Sequence, residues 1–162
     1  MALEPRFGLV ARRTKASLPL EITSLAEFSA FRRNLRPETR AFLEAVGYQP
    51  RHGAPVALPD ERGGFDRFLV VRDPKESVFE LFGGLALRLP AGDYHLLTEL
   101  DPAEAREAAI GFGAGRYRFD RYLSKSKNER ARLQLPRSAD VREVERTLDA
   151  IYLARDLINT PT

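Results

Sequence analysis

Cysteine is absent from this chain of 162 residues. That excludes a disulfide framework and any thiolate metal site, and it fits a reducing compartment. Histidine is scarce. His52 and His95 are the only two, and neither has a second His or a carboxylate at metal-ligand spacing, so both read as structural or surface residues. Long apolar runs are missing too. No stretch approaches the roughly 20 residues that a membrane helix needs. The opening MALEPRFGLVARR has no apolar core of a secretory signal. These features together predict a cytoplasmic protein with no membrane partner.

Catalytic signatures are lacking as well. There is no Gly-x-Ser-x-Gly elbow, and Asp60 beside Glu61 is accounted for by a turn through Gly63 and Gly64. The run GFGAGR places Gly111, Gly113 and Gly115 at a spacing that fits neither a dinucleotide loop nor a P-loop. These glycines fall late in a helical pattern, where small residues allow close helix packing.

What remains is enough for a folded domain. Apolar residues make up 43% of the chain, which supplies a core and argues against disorder. Acidic and basic residues number 23 and 26, for a net charge of +3, and they are interspersed as on a solvated surface.

Strands are expected over Phe7 to Arg12 and Leu18 to Thr23. SLAEFSAFRRNL follows with a Ser24/Glu27 capping box and Leu25, Phe28 and Phe31 on one helical face. Pro37 opens a second helix, with Ala41, Phe42, Ala45 and Val46 as its buried side and Gly47 as its stop. APVALP and FDRFLVV flank the turn DERGG as a hairpin. A helix capped by Asp73 comes next, with Val78, Leu81, Phe82, Leu85 and Leu89 on its apolar face. DYHLLTEL is a strand, and Asp101-Pro102 opens another helix that runs to about Tyr117. After the strand ARLQLP, a last helix spans Ser138 to about Leu157, with the stripe Val141, Val144, Leu148 and Ile151.

This alternation predicts an α/β fold, a mixed β-sheet flanked by helices. Three segments are expected. Residues 1–50 form a small N-terminal unit, 51–137 a second α/β unit making one domain with it, and 138–162 a connector helix. Part of the last helix's stripe is expected to be exposed or held loosely.

Arginines interleave with aromatics in RYRFDRY, and a polar basic stretch follows. Arg116, Arg118, Arg121, Lys125, Lys127, Arg130 and Arg132 are therefore candidate polyanion contacts. Binding there would be weak and sequence-independent. Phe112, Tyr117 and Phe119 in the same region fit a core edge.

Two phrases, GFGAGRYRFDRY and the helix ending AIYLARDLINTPT, resemble the leucyl aminopeptidase family, the M17-type cytosolic aminopeptidases. Arg155, Asp156, Leu157, Asn159, Thr160 and Pro161 carry most of that resemblance. It implies a macro-domain-like N-terminal domain that supports a hexamer or shapes access to the active sites. Some family members also bind DNA. It further implies that the last helix leads toward a catalytic domain holding two divalent metal ions, zinc or manganese, which hydrolyses N-terminal residues from peptides. Nothing like the family's N-T-D-A-E-G-R stretch occurs in this chain. No catalytic, cofactor-binding or metal residue is therefore carried over, and the chain is expected to be a piece of a longer protein or the product of a split or degenerate gene. The alternative reading is a nucleic-acid or nucleotide-binding module.

Overall fold

The computed structural model describes residues 7–118 and 130–160. Six strands, β1 (Leu9–Val10), β2 (Leu18–Ser24), β3 (Pro55–Pro59), β4 (Phe65–Arg72), β5 (Gly92–Leu96) and β6 (Ala131–Gln134), form one sheet in the order β1-β6-β5-β2-β4-β3. Every neighbouring pair is parallel except the β3/β4 hairpin at one edge. The sheet is mixed, as the pattern predicts. Strand β2 lies between β4 and β5, so the first 50 residues supply a central strand.

Helices cover both faces. α1 (Phe28–Asn34) and α2 (Pro37–Ala45) lie over one. Here Phe28 and Leu43 meet Leu58, Leu69 and Val71. α3 (Val78–Arg88), α4 (Pro102–Gly115) and α5 (Val141–Asn159) lie over the other, around Leu20, Val70, Tyr94, Leu133 and Leu148. Strand β4 feeds both layers. Leu69 and Val71 point to the first, while Phe68 and Val70 point to the second. Burial on two faces explains why its sequence reads as a continuous apolar run.

Several helix details differ from the sequence pattern. The buried residues of α2 are Thr39 and Leu43; Ala41, Ala45 and Val46 are exposed. Phe42 packs half-buried against the Leu43 cluster as expected, but Ala41, Ala45 and Val46 suggested a face rotated away from the one that docks. Leu25 is also exposed, because residues 25–27 form a turn and regular helix begins at Phe28. The cap of α3 is Ser77, whose hydroxyl accepts from the Glu80 N–H at 3.3 Å. Asp73 instead closes a tight turn by accepting from the Lys75 N–H at 3.0 Å. Starting at Val78 leaves charged Lys75 and Glu76 in water while the apolar residues of α3 face the core. α5 begins at Val141, where Asp140 caps it by accepting from the Arg142 and Glu143 N–H groups.

The close approach of α4 to its neighbours depends on glycine. A Cβ on Gly111 would collide with the Phe79 carbonyl oxygen, and one on Gly115 with that of Gly83. A Cβ on Gly113 would press on the Leu148 side chain of α5. The glycines of GFGAGR are thus the seam along which α4 meets α3 and α5. That is the packing role, not a phosphate loop.

Candidate functional site: the anchored last helix

Helix α5 has two unlike faces. On the inner one, Val144 and Leu148 are completely buried, and Val141, Ile151 and Tyr152 pack against the main core. The middle of the stripe is therefore seated on its own domain, while Val141 and Ile151 at its ends are half-buried.

The second half of α5 is held by polar contacts. The Tyr152 hydroxyl donates to the Gly113 carbonyl at 2.9 Å, and Arg155 Nη1 donates to the Ala114 carbonyl at 2.6 Å. These carbonyls lie in the last turn of α4, where they accept only long bonds from the Arg116 and Tyr117 N–H groups at 3.2 and 3.3 Å, so α5 gives each of them a second donor. Tyr117 sits in the same corner. Its ring meets Tyr152 edge-on at 5.1 Å, and the Arg155 guanidinium lies over it at 5.3 Å. Its hydroxyl is 2.7 Å from Asp156 Oδ1 and receives a bond from Asn159 Nδ2 at 3.3 Å. Phe7 completes the corner by packing edge-on against Tyr152 at 5.0 Å. The two phrases that carry the resemblance, around Arg116–Tyr117 and Arg155–Asn159, are thus in direct contact.

The last two turns of α5 expose apolar side chains, two on the outer face and Ile158 past the end of the inner stripe. Leu153, Leu157 and Ile158 are 61%, 69% and 81% exposed. Burying such side chains is worth about 1.5–3 kcal/mol each, so three of them on one helix end form a surface suited to a partner.

The candidate polyanion contacts divide into two groups. Arg121, Lys125 and Lys127, like Phe119, lie outside the described residues. Arg118 is exposed, whereas Arg116 turns inward against Gly8, with Nε and Nη1 buried and lacking a hydrogen-bond partner. Burial first, and then the charges of Arg130 and Arg132, disfavour its charged form. Arg132 is itself tied to Asp93 at 2.5 Å. The structure thus brings Arg116, Arg130 and Arg132 near one another, but one points inward and one is already paired.

The remaining chemistry-bearing residues are placed as follows. His52 Nδ1 accepts from the Asp73 N–H at 3.0 Å, a structural contact. Asp60 accepts from the Arg62 and Gly64 N–H groups, and Glu61 pairs with Arg36. His95 is buried beside Ser17, with Nδ1 3.0 Å from the hydroxyl. Sequence reasoning missed this pair because 78 positions separate its members. Among the described residues, no group of three or more His, Asp or Glu side chains could hold a metal ion. The described residues thus do not fit a dinuclear site.

Residues 18–136 match the model of the family described as M17 aminopeptidase, N-terminal domain. A curated relative, the "Probable cytosol aminopeptidase" of Bradyrhizobium sp. (strain BTAi1), is 31% identical over 141 residues, covering 72% of this chain and 28% of that protein. The crystal structure of the cytosol aminopeptidase from Coxiella burnetii superposes with a TM-score of 0.79 at 30% identity. The match spans 95% of this chain and 34% of that one. The bottromycin maturation enzyme BotP shares the fold, with a TM-score of 0.60 at 22% identity over 90% of this chain and 33% of that one. This chain therefore spans about a third or less of the length of the relatives it matches. The chain belongs to the M17 aminopeptidase family, and its residues are those of the family's N-terminal domain.

Proposed function

We propose that this domain serves a cytoplasmic metallo-aminopeptidase by supporting assembly or shaping access to the active sites, while bond breaking belongs to a catalytic domain of the same protein. One observation carries the reading. Beyond the family match over residues 18–136, α5 is anchored on one face, leaves Leu153 and Leu157 uncovered on the opposite face, and exposes Ile158 where its inner stripe runs past the core. Residues 1–50 and 51–137 then act as one macro-like unit, a reading supported by the mixed sheet between two helical layers. Residues 138–162 form the connector, and the catalytic domain packs over its outer face. The whole protein is a homo-oligomer, a hexamer by family resemblance, acting on the N-termini of peptides. Its two divalent ions, zinc or manganese, would be held outside the residues described here.

The test is direct. The purified chain, supplied with manganese or zinc, should release no product from an aminoacyl-arylamide or a dipeptide. Turnover that co-purifies with the chain would refute the division of labour.

The proximity of Arg116, Arg130 and Arg132 favours a second reading, weak contact with nucleic acid. Phosphate neutralisation carries no base information. Fluorescence anisotropy with unrelated DNA duplexes should therefore show equal affinities that fall steeply as salt rises from about 50 to 200 mM. Tight binding of one sequence at the higher salt would make nucleic acid the main partner.

A further inference from the structure

A cavity of about 510 Å³ opens where the parallel strands β1, β6 and β5 end. Its walls come from the segments that leave those strands. Arg13 follows β1, His95 through Leu100 close β5 and continue past it, and Gln134 through Ser138 do the same for β6. Crevices beyond the carboxyl ends of strands are the usual ligand position in open α/β sheets. The volume lies within the range of small-molecule sites.

The cavity wall contains an unsatisfied group. His95 is 5% exposed, and its Nδ1 is engaged with Ser17, while Nε2 is shielded and has no hydrogen-bond partner. Buried polar atoms without partners are rare and call for a specific explanation. When the Ser17 hydroxyl donates to Nδ1, the ring proton sits on Nε2, leaving an N–H donor without an acceptor. Desolvation first, and then the nearby Arg13 charge, lowers the His95 pKa, so the ring is neutral at pH 7.

The charged groups around the cavity set the sign of the ligand. Arg13 and Arg137 line it, and among the described residues neither is paired with a carboxylate. Glu99 opposes them as the one acidic lining residue. Two cations against one anion, beside a neutral imidazole, leave an excess of one positive charge. Leu97 and Leu135 add apolar wall, so the space holds more than a bare ion.

We propose that this cavity binds a small organic anion beside His95, with its carboxylate or phosphoryl charge met by Arg13 and Arg137. The ligand's apolar body rests on Leu97 and Leu135. The site is separate from the outer face of α5, so it stands or falls independently of the aminopeptidase reading.

The two histidines make the test clean. In the nitrogen-15-labelled chain, ring resonances of His95 and His52 are followed while phenyl phosphate or phenylacetate is added at constant ionic strength. With a bound anion the His95 ring signals move, and its titration midpoint rises by about one unit, because an adjacent negative charge favours the imidazolium. His52, on the far side of the β5–β2–β4 strands and bonded to Asp73, stays still. Whichever probe moves His95 identifies the phosphoryl or the carboxylate source. Arg13→Gln and Arg137→Gln change exposed side chains and leave the fold intact. Each should weaken binding by about fivefold, the size of one exposed ion pair. The proposal is overturned if neither probe moves His95, as when a water alone satisfies Nε2. It is overturned equally if both histidines shift together, or if the arginine variants bind as tightly as the parent.

Discussion

A single buried imidazole ties the stability of this domain to pH. His95 is held neutral by burial and by Arg13, so its folded-state pKa lies below the ordinary 6.5. The unfolded chain takes up the proton first as pH falls. The neutral ring's contribution is therefore complete above about 6.5 and is lost as pH drops from there through the lower folded value. Urea unfolding at several pH values between 7.5 and 5.5 should show a midpoint that declines on the acid side. His95→Gln keeps an amide near Ser17 but cannot titrate, and it should flatten that decline; an unchanged slope in the variant would assign the effect to other groups. None of this could be read from the chain itself. A lone histidine without a motif looks the same whether exposed or buried, and only the folded register brings Ser17 and Arg13 to it.

Elements were more legible than their partners. The turn DERGG is a hairpin because Asp60 collects the Arg62 and Gly64 N–H groups and Gly63 takes a positive φ of 78°. Asp101 caps α4 as its sequence suggests, by accepting from the Glu104 N–H at 2.9 Å. Sheet order was not legible, because β2, β5 and β6 become neighbours through crossovers that leave no local trace. The face of α2 was misread for a related reason. Its small apolar residues gave two overlapping stripes, and contact with the sheet selected Leu43. The glycine run is the case where composition and packing agree most closely. In an exposed helix, Gly→Ala would stabilise by about 1 kcal/mol through propensity. At Gly111 and Gly115 the new methyl meets backbone carbonyls of α3, which cannot rotate away. Overpacking of this kind costs about 1–3 kcal/mol, so the clash wins. Gly111→Ala and Gly115→Ala should each lower the melting temperature. At Gly113 the obstacle is the flexible Leu148 side chain, so Gly113→Ala should cost less. Calorimetry of the three variants checks both the sign and the order.

For the whole molecule, the question is why a helix so well anchored should keep an oily outer face. Propensity and inner packing already secure α5, with Leu148 buried, Tyr152 and Arg155 bonded to α4, and Asp156 meeting Tyr117. Leu153, Leu157 and Ile158 add nothing to that and expose apolar surface to water. Surfaces of this kind persist where a partner covers them, and about two thirds of each matched relative lies outside the aligned part. If the catalytic domain packs on this face, then in the complete protein the double substitution Leu153→Asp/Leu157→Asp should loosen the domain contact. Each buried leucine represents about 1.5–3 kcal/mol, and each new aspartate would be left against an apolar surface. Sedimentation should then show a loss of the assembled species, and peptidase activity should fall with it. In the isolated domain, the same pair of changes lies in water and should leave the unfolding free energy within about 0.5 kcal/mol of the parent's. Assembly and activity that withstand the substitutions would place the covering partner elsewhere. Unfolding of the isolated domain would show instead that this face belongs to its own core.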